Sequence, residues 1–365
     1  MKERVLVAMS GGVDSAVAAA RLQDDGYEVV GVTLHLWDYP DTADGGHGRC
    51  CAPEDQYDAR RTADVLRFPH YTFDRRALFE EVVVAPFVRA YLGGETPSPC
   101  ATCNRGVKLR ELFDLADKLG ARFVATGHYA RIERWDGHVA LRQGRDLGKD
   151  QSYFLYATTE ADLARLLFPV GESTKAEVRA EAVARRLPGA TKGESQELCF
   201  VGTKPHAYAA FVEARAEASA GDRAVRPGAI VDSTGAEVGR HEGIHRFTVG
   251  QRRGLGVAGG KPLYVTRVDA ATGRVHLGQE DALLTSSALI EDVVLARHAA
   301  LPRRARVRVR YRHEGVDAEV TRGGVDTVVV RFSEPVRAVT RGQVAVFYDG
   351  DRVLGGGRIA TAGDA

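Results

Sequence analysis

The chain has 365 residues, 44% of them hydrophobic and 27% charged, with a formal net charge of +1. That length exceeds one ordinary domain, so two or three are expected. The near-neutral balance excludes binding of nucleic acid through overall charge; any such contact must come from a local basic patch. No apolar run approaches the ~20 residues of a membrane span. Met1-Lys2-Glu3-Arg4 leads straight into a strand without a signal-peptide pattern, so a cytoplasmic protein with no membrane partner is expected. Cys50, Cys51, Cys100, Cys103 and Cys199 are an odd set in a long chain. They read as cytosolic thiols used for metal or chemistry, not as a secreted disulfide framework.

Residues 4–9 form the first predicted strand, followed by Ser10-Gly11-Gly12-Val13-Asp14-Ser15 and a helical run over 15–24. A strand, a two-glycine turn and a helix let backbone N–H groups and the positive helix end approach an anion. Ser10 and Ser15 offer hydroxyls to phosphate oxygens, and Asp14, repelled by phosphate, suits a Mg²⁺ bridge. No lysine follows the glycines, so the Walker pattern is absent. Taken alone, Gly11-Gly12 would be an ordinary strand-to-helix turn.

Further strands are predicted at 28–36, 70–73 and 122–126, and helices at 54–66, 77–91, 104–119, 161–167 and 175–186. Thr174 and Glu177 form a capping box for the last of these. This alternation argues for a parallel sheet covered by helices, with ligands at the C-terminal strand ends. The turn at residues 10–15 is one such end and Gly127-His128 is another. Asp136-Gly137 between 132–135 and 138–142 signals a hairpin.

Pro99-Cys100-Ala101-Thr102-Cys103-Asn104 precedes a predicted helix, which puts Cys103 near a helix N-terminus where the macrodipole favours a thiolate. A C-x-x-C pair fits a metal site, a redox couple, an iron–sulfur ligand set or two small residues capping a helix. Cys199 lies in Gly193-Glu194-Ser195-Gln196-Glu197-Leu198-Cys199-Phe200; a lone cysteine is commonly a core residue, but these polar neighbours suggest a mobile loop.

After about residue 203 short glycine-rich strands take over, at 229–231, 262–267 and 273–277. A second β-rich stretch begins near 287, with segments at 305–312, 318–321, 327–332 and 343–349. The expected division is an α/β catalytic domain over 1–202, a small central β-rich domain over 203–284 and a C-terminal β barrel over 285–365. In the run at 303–312, strand alternation puts Arg304, Arg306, Arg308, Arg310 and Arg312 on one face, with Ala305, Val307, Val309 and Tyr311 opposite. Such a face is either a charge-protected edge or an RNA-backbone patch.

SGGVDS (10–15) resembles the signature of the PP-loop ATP pyrophosphatases, which split ATP between the α and β phosphates. With PCATCN (99–104), ATGHYAR (125–131), KDQSYFL (149–155), GESQELCF (193–200) and GIHRFTVGQRRGLG (243–256) in one order, the chain is similar to the bacterial tRNA-uridine 2-sulfurtransferase family from residue 4 to about 360. The resemblance implies ATP-dependent 2-thiolation of the wobble uridine of tRNA, on Lys, Glu and Gln isoacceptors. The ring carbonyl oxygen is adenylated, and a cysteine persulfide then replaces it with sulfur. By motif match, Cys199 carries the persulfide and Cys103 releases the sulfur, ending as a Cys103–Cys199 disulfide. ATP contacts map to Ala8, Met9, Ser10, Gly11, Gly12, Val13, Asp14, Ser15, Leu34 and Gly127. Contacts to tRNA map to Ser98, Pro99, Cys100, His128, Lys149, Asp150, Gln151, Arg310, Tyr311 and Gln343. The sulfur donor, a relay protein or a cysteine desulfurase, stays open. So does the part played by Cys100, where some members carry Asp: Cys100, Cys103 and Cys199 could hold an iron–sulfur cluster, or a persulfide relay could suffice without Cys100. Other PP-loop ligases and amidotransferases, or an ATP-dependent RNA-binding or thiol–metal module, are the rival classes; pyrophosphate release that depends on tRNA separates them.

Overall fold

A computed structural model describes residues 2–38, 53–193, 198–201, 207–218, 225–257, 261–297 and 299–363. Cys50 and Cys51 lie outside them, as do Glu194, Ser195, Gln196 and Glu197 of the cysteine loop. The chain divides into two compact units. One comprises Met1–Val83, Cys100–Val201 and Asp351–Val353; the other comprises Val84–Pro99, Gly202–Gly350 and Leu354–Ala365. The segment Val84–Pro99, assigned to the first domain from sequence, thus packs with the second unit.

The first unit holds β1 (Arg4–Ala8), α1 (Val13–Asp24), β2 (Glu28–His35), α2 (Pro53–Leu66) and β3 (His70–Asp74). A helical run follows as α3 (Arg76–Phe79), a π-helical turn at Glu80–Val84 and α4 (Ala85–Leu92), the last belonging to the second unit. Beyond it come α5 (Pro99–Cys103), a π turn at Asn104–Lys108, α6 (Leu109–Lys118), β4 (Phe123–Ala125), the hairpin β5 (Ala130–Trp135) and β6 (His138–Gln143), α7 (Glu160–Arg165), β7 (Leu166–Leu167) and α8 (Lys175–Ala184). The sheet order is β3-β2-β1-β4-β7, and every pairing is parallel. The chain moves outward on one side of β1 and then returns to its other side. The switch point therefore falls between the C-terminal ends of β1 and β4, where doubly wound sheets bind ligands. Small residues let α1 lie close to its neighbours: Ala16, Val17, Ala18, Ala19 and Ala20 are all buried. The expected capping box forms at Thr174 and Glu177, and Asp136 and Gly137 both adopt the positive φ of a tight hairpin turn.

The second unit contains α9 (Ala207–Ala218), β8 (Gly228–Val231), β9 (Glu237–His241), β10 (Tyr264–Asp269) and β11 (Arg274–Gly278). The four strands form a small sheet in the order β10-β11-β8-β9 over Ile230, Phe247, Val265 and Leu277. Next come β12 (Leu284–Leu295), β13 (Arg303–Arg308), β14 (Val316–Arg322), β15 (Val328–Arg337), β16 (Val344–Asp349) and β17 (Arg352–Ala362). They run in the order β12-β15-β14-β13-β16-β17, and β17 pairs back onto β12, closing a barrel around Ile290, Val307, Val330 and Phe347. No described helix is long and apolar enough to cross a membrane.

Candidate active site

After β1 the N–H of Met9 still bonds to Val32 O at 2.8 Å, and the chain then turns. Gly11 has φ +75°, and a Cβ there would stand 2.1 Å from the backbone oxygen of Asp55 on α2, so no other residue fits. Ser15 is buried and holds the turn from inside: its Oγ donates to Gly12 O at 3.0 Å and accepts the Ser10 N–H at 3.2 Å. Ser10 is exposed. Helix α1 starts with no side chain bonded at its N-cap, Gly12. Its first-turn N–H groups and the positive end of a 12-residue helix dipole thus face the switch point, where an anion is favoured. The turn fits a triphosphate through backbone amides. Leu34 is buried near the end of β2.

Asp14 leads into a network that the sequence did not announce. Lys175 Nζ donates to both of its carboxylate oxygens at 2.7 Å, and Tyr129 Oη donates to one at 2.8 Å. Tyr129 is fixed in turn by Gln151, whose Oε1 accepts its N–H at 3.0 Å and whose N–H donates to its carbonyl at 2.9 Å. Gly127 closes the other side: a Cβ there would lie 2.8 Å from Asp14 C and Ser15 N. Lys192 ties α2 to the segment entering the cysteine loop, bonding Asp55 at 2.5 Å and Asp58 at 3.0 Å. Burial pushes the Asp55 carboxyl up against the opposing pull of Lys192. A Mg²⁺ ion needs only one or two protein carboxylates when phosphate oxygens and water complete its shell. Asp14 is the carboxylate present, and Lys175 is its counter-charge in the ligand-free protein.

The cysteines correct one expectation. The helix carrying them begins at Pro99, not Asn104, because proline is pre-set for a first helical position. Cys103 therefore sits a turn inside the run and is buried, 5% exposed, while Cys100 is exposed in the first turn. The macrodipole fades beyond the first turn, so it acts on Cys100 more than on Cys103. Asn104 Nδ2 bonds Phe154 O at 3.3 Å, linking the cysteine helix to the turn after Gln151. Cys199 is partly exposed, and its neighbour Phe200 packs edge-on against Phe79 and Trp37 at 5.6 and 6.1 Å. Gly106 packs on Val82, where a Cβ would meet Val82 Cγ1 at 2.7 Å. The Cys103 and Cys199 segments thus border the same helical stretch, one through Val82 and the other through Phe79. Cys100, Cys103 and Cys199 form no disulfide in this structure. Among the described residues no three His, Cys, Asp or Glu side chains form a group that could hold a metal ion.

The remaining expected tRNA contacts fall in different environments. His128 is half-buried, with Nδ1 2.7 Å from Thr126 Oγ1. Burial first, and the Lys108 charge second, push its imidazole down to about 3, so it is neutral near pH 7. Lys149 is half-buried. Asp150 is 1% exposed, and its oxygens accept from the Gly144 and Ser152 N–H groups, Ser152 Oγ and Gln143 Nε2 at 3.0–3.2 Å. Its side chain holds the turn that presents Lys149 and Gln151. In the second unit, Ser98 and Pro99 are buried, and Gln343 Nε2 donates to Thr96 O at 3.0 Å.

Strand β13 ends at Arg308, four residues before the expected end. Register places Glu319 beside Arg304 and Asp317 beside Arg306, so two of the five arginines read on that face have a carboxylate opposite on β14. Arg308 turns back onto the carbonyls of His313 and Tyr311; Arg310 donates to Arg337 O at 3.2 Å but stays exposed, as does Arg312.

Comparison with known proteins matches three consecutive family models. They are the tRNA methyl transferase HUP domain over residues 3–203, the tRNA methyl transferase PRC-barrel domain over 220–279 and the aminomethyltransferase beta-barrel domain over 288–359. A tRNA-specific 2-thiouridylase MnmA of Sorangium cellulosum is 61% identical over 98% of this chain and 92% of its own. One from Solibacter usitatus is 46% identical over 98% and 99%, and one from Geobacter metallireducens 46% over 99% and 98%. A solved 4-thiouridine synthetase–RNA complex with bound ATP overlaps 53% of this chain and 44% of that one at 17% identity, with a TM-score of only 0.34. At these levels of identity and coverage, the chain belongs to the tRNA-specific 2-thiouridylase family.

Proposed function

We propose that this protein is an ATP-dependent tRNA sulfurtransferase that makes 2-thiouridine at the wobble position of Lys, Glu and Gln isoacceptors. The observations that support the reading are an uncapped α1 N-terminus beside Asp14 and, in the same unit, Cys103 and Cys199 segments that border one helical stretch. Two of the family models are described as tRNA methyl transferase domains; an anion-binding turn and two cysteines on a shared helical neighbour suit activation followed by sulfur transfer better.

The α1 amides and Ser10 hold the triphosphate, and Asp14 is the carboxylate that would hold a Mg²⁺ ion, which would supply positive charge to offset that of the phosphates. Lys175 passes from Asp14 to the phosphates as the nucleotide enters. An unstacked uridine reaches the site from the side of His128, Lys149 and Gln151. Its O2 attacks the α-phosphorus, and pyrophosphate leaves. The oxygen of an amide-like carbonyl, a poor leaving group, becomes part of AMP. The terminal sulfur of a Cys199 persulfide attacks C2 and AMP departs. The Cys103 thiolate then attacks the Cys199 sulfur. The S–S bond to the base breaks, the base keeps its sulfur, and a Cys103–Cys199 disulfide forms, which an external dithiol reduces. The sulfur arrives from a relay protein or directly from a cysteine desulfurase. The domain division 1–202, 203–284 and 285–365 goes with this reading, the barrel meeting tRNA through Arg310 and Tyr311.

The test is mass spectrometry of tRNA nucleosides from cells lacking the protein, paired with pyrophosphate release by the purified enzyme. Loss of wobble 2-thiouridine and tRNA-dependent release are expected. Unchanged thiouridine, or release that proceeds with a small acceptor and no tRNA, overturns the assignment.

A further inference from the structure

Thr126 follows β4 and is 4% exposed. Gly127 comes next and presses on the anion turn, against Asp14 and Ser15. His128 therefore stands beside the switch point, and all of these groups belong to the first unit. Thr126 Oγ1 lies 2.7 Å from His128 Nδ1 and accepts the His128 N–H at 3.4 Å. Among the described residues no other group is bonded to that hydroxyl. A buried hydroxyl must place its proton on an acceptor. If Nδ1 carried the ring proton, Oγ1 would accept twice and its own proton would be stranded. The hydrogen-bond pattern therefore assigns Nδ1 as the acceptor and puts the ring proton on Nε2. Phe168 packs edge-on against the ring at 6.2 Å. Among the described residues no protein group bonds Nε2. Burial, and after it the Lys108 charge, keeps the ring neutral.

We propose that Thr126 is a positioning residue: its hydroxyl holds His128 as the tautomer protonated on Nε2, so that the imidazole offers a hydrogen-bond donor, and not a base, to an oxygen of the incoming tRNA nucleotide. The tautomer follows from the hydrogen bonds alone. The nucleotide as acceptor rests on the sulfurtransferase reading above. A donor suits an oxygen-rich ligand, since uracil carbonyls and phosphates present only acceptors there. An Nε2 lone pair would instead repel them.

The tautomer is read from two-bond proton–nitrogen correlation spectra of the full chain labelled with ¹⁵N-histidine, with the His128 signal assigned by its loss in His128→Gln. Wild type and Thr126→Ser are expected to show the Nε2–H pattern near pH 7, and Thr126→Val a mixture of tautomers. An Nδ1–H or imidazolium pattern in wild type overturns the proposal, as does an unchanged pattern in Thr126→Val. Single-turnover pyrophosphate release against tRNA concentration gives the second readout, with ATP binding and melting temperature as controls. Thr126→Val is expected to lose about 3- to 10-fold at low tRNA, as for one hydrogen bond, and Thr126→Ser to stay within about 2-fold of wild type. A loss in the maximal rate puts the acceptor on the reacting carbonyl, and a raised half-saturation puts it on a phosphate. Equal losses in both variants, or none in either, overturn the positioning role. Should Thr126→Val fail to fold, the wild-type tautomer and Thr126→Ser decide. If wild type releases no pyrophosphate with tRNA, the functional reading falls while the spectrum still tests the tautomer.

Discussion

Asp150→Ala separates a carboxylate that builds the site from one that touches tRNA. The wild-type side chain is 1% exposed and accepts from the N–H groups of Gly144 and Ser152, from Ser152 Oγ and from Gln143 Nε2. Gln143 is half-buried and can turn toward water. The Gly144 and Ser152 amides are buried and cannot. Each buried donor left unpaired costs about 1–3 kcal/mol, so the two amides together give about 4 kcal/mol. For a unit of this size about 2–4 °C is lost per kcal/mol, which predicts a fall of about 8–16 °C in melting temperature. The assay is thermal unfolding of the ligand-free protein followed by far-UV circular dichroism. A variant melting within about 2 °C of wild type while its tRNA affinity drops would refute this reasoning and return Asp150 to the RNA surface.

Asp14→Asn is expected to abolish exchange of pyrophosphate into ATP, and Lys175→Met to raise the ATP requirement for it; wild-type exchange in either variant removes that residue from the phosphate site. Arg310→Ala with Arg312→Ala should flatten the log–log salt dependence of tRNA binding by about 0.7–0.9 per lost phosphate contact. Arg308→Ala should change that slope less, because Arg308 is only partly exposed and is held by two carbonyls, whereas Arg310 is exposed and bonds one. An equal effect at Arg308 would refute the distinction. His128 is depressed to about 3 in the folded chain, against 6.5 unfolded, so between those values the unfolded state binds the extra proton. Stability contributed by neutral His128 is full above pH 6.5 and falls on acidification, by at most about 1.4 kcal/mol per unit. His128→Gln should therefore lose less stability than wild type between pH 7 and pH 5 in urea unfolding, and equal losses would contradict the burial.

Much of the first unit was legible because its signals are local. Alternating apolar runs, a glycine turn and the Thr174–Glu177 box each act over a few residues. The elements that escaped notice are those where tertiary pairing overrides propensity. Helix α9 is rich in alanine and lacks a sharp apolar stripe, and β17 carries Gly355-Gly356-Gly357, a run that propensity assigns to a turn. The arginine strand was read without its partner: Glu319 and Asp317 lie opposite Arg304 and Arg306 only through register. In the site, SGGVDS announced the anion turn, but Lys175 lies 161 residues from Asp14. Nothing in local spacing joins those two, or Gln151 to Tyr129. Sequence contained all four residues; only the fold shows that they form one network.

The surroundings of the cysteines bear on the choice between a cluster and a persulfide relay. Cys100 and Cys103 stand three residues apart in one helical turn, so their side chains share a face, and the two readings part on whether Cys100 is needed. A relay needs only two sulfurs, and the Cys103 and Cys199 segments border one helical stretch through Val82 and Phe79. On the proposed relay, burial of Cys103 would keep bulk oxidants away from the thiol that releases the product. Cys199→Ser should therefore stop thiolation yet retain tRNA-dependent pyrophosphate release, because adenylation precedes sulfur delivery. Cys103→Ser should stop turnover as well. Cys100→Ala removes one exposed sulfur through which neither delivery nor release passes, so thiolation should persist within about an order of magnitude, as for loss of a single contact. Activity that appears only after anaerobic iron–sulfur reconstitution, and vanishes in Cys100→Ala, would sink the relay.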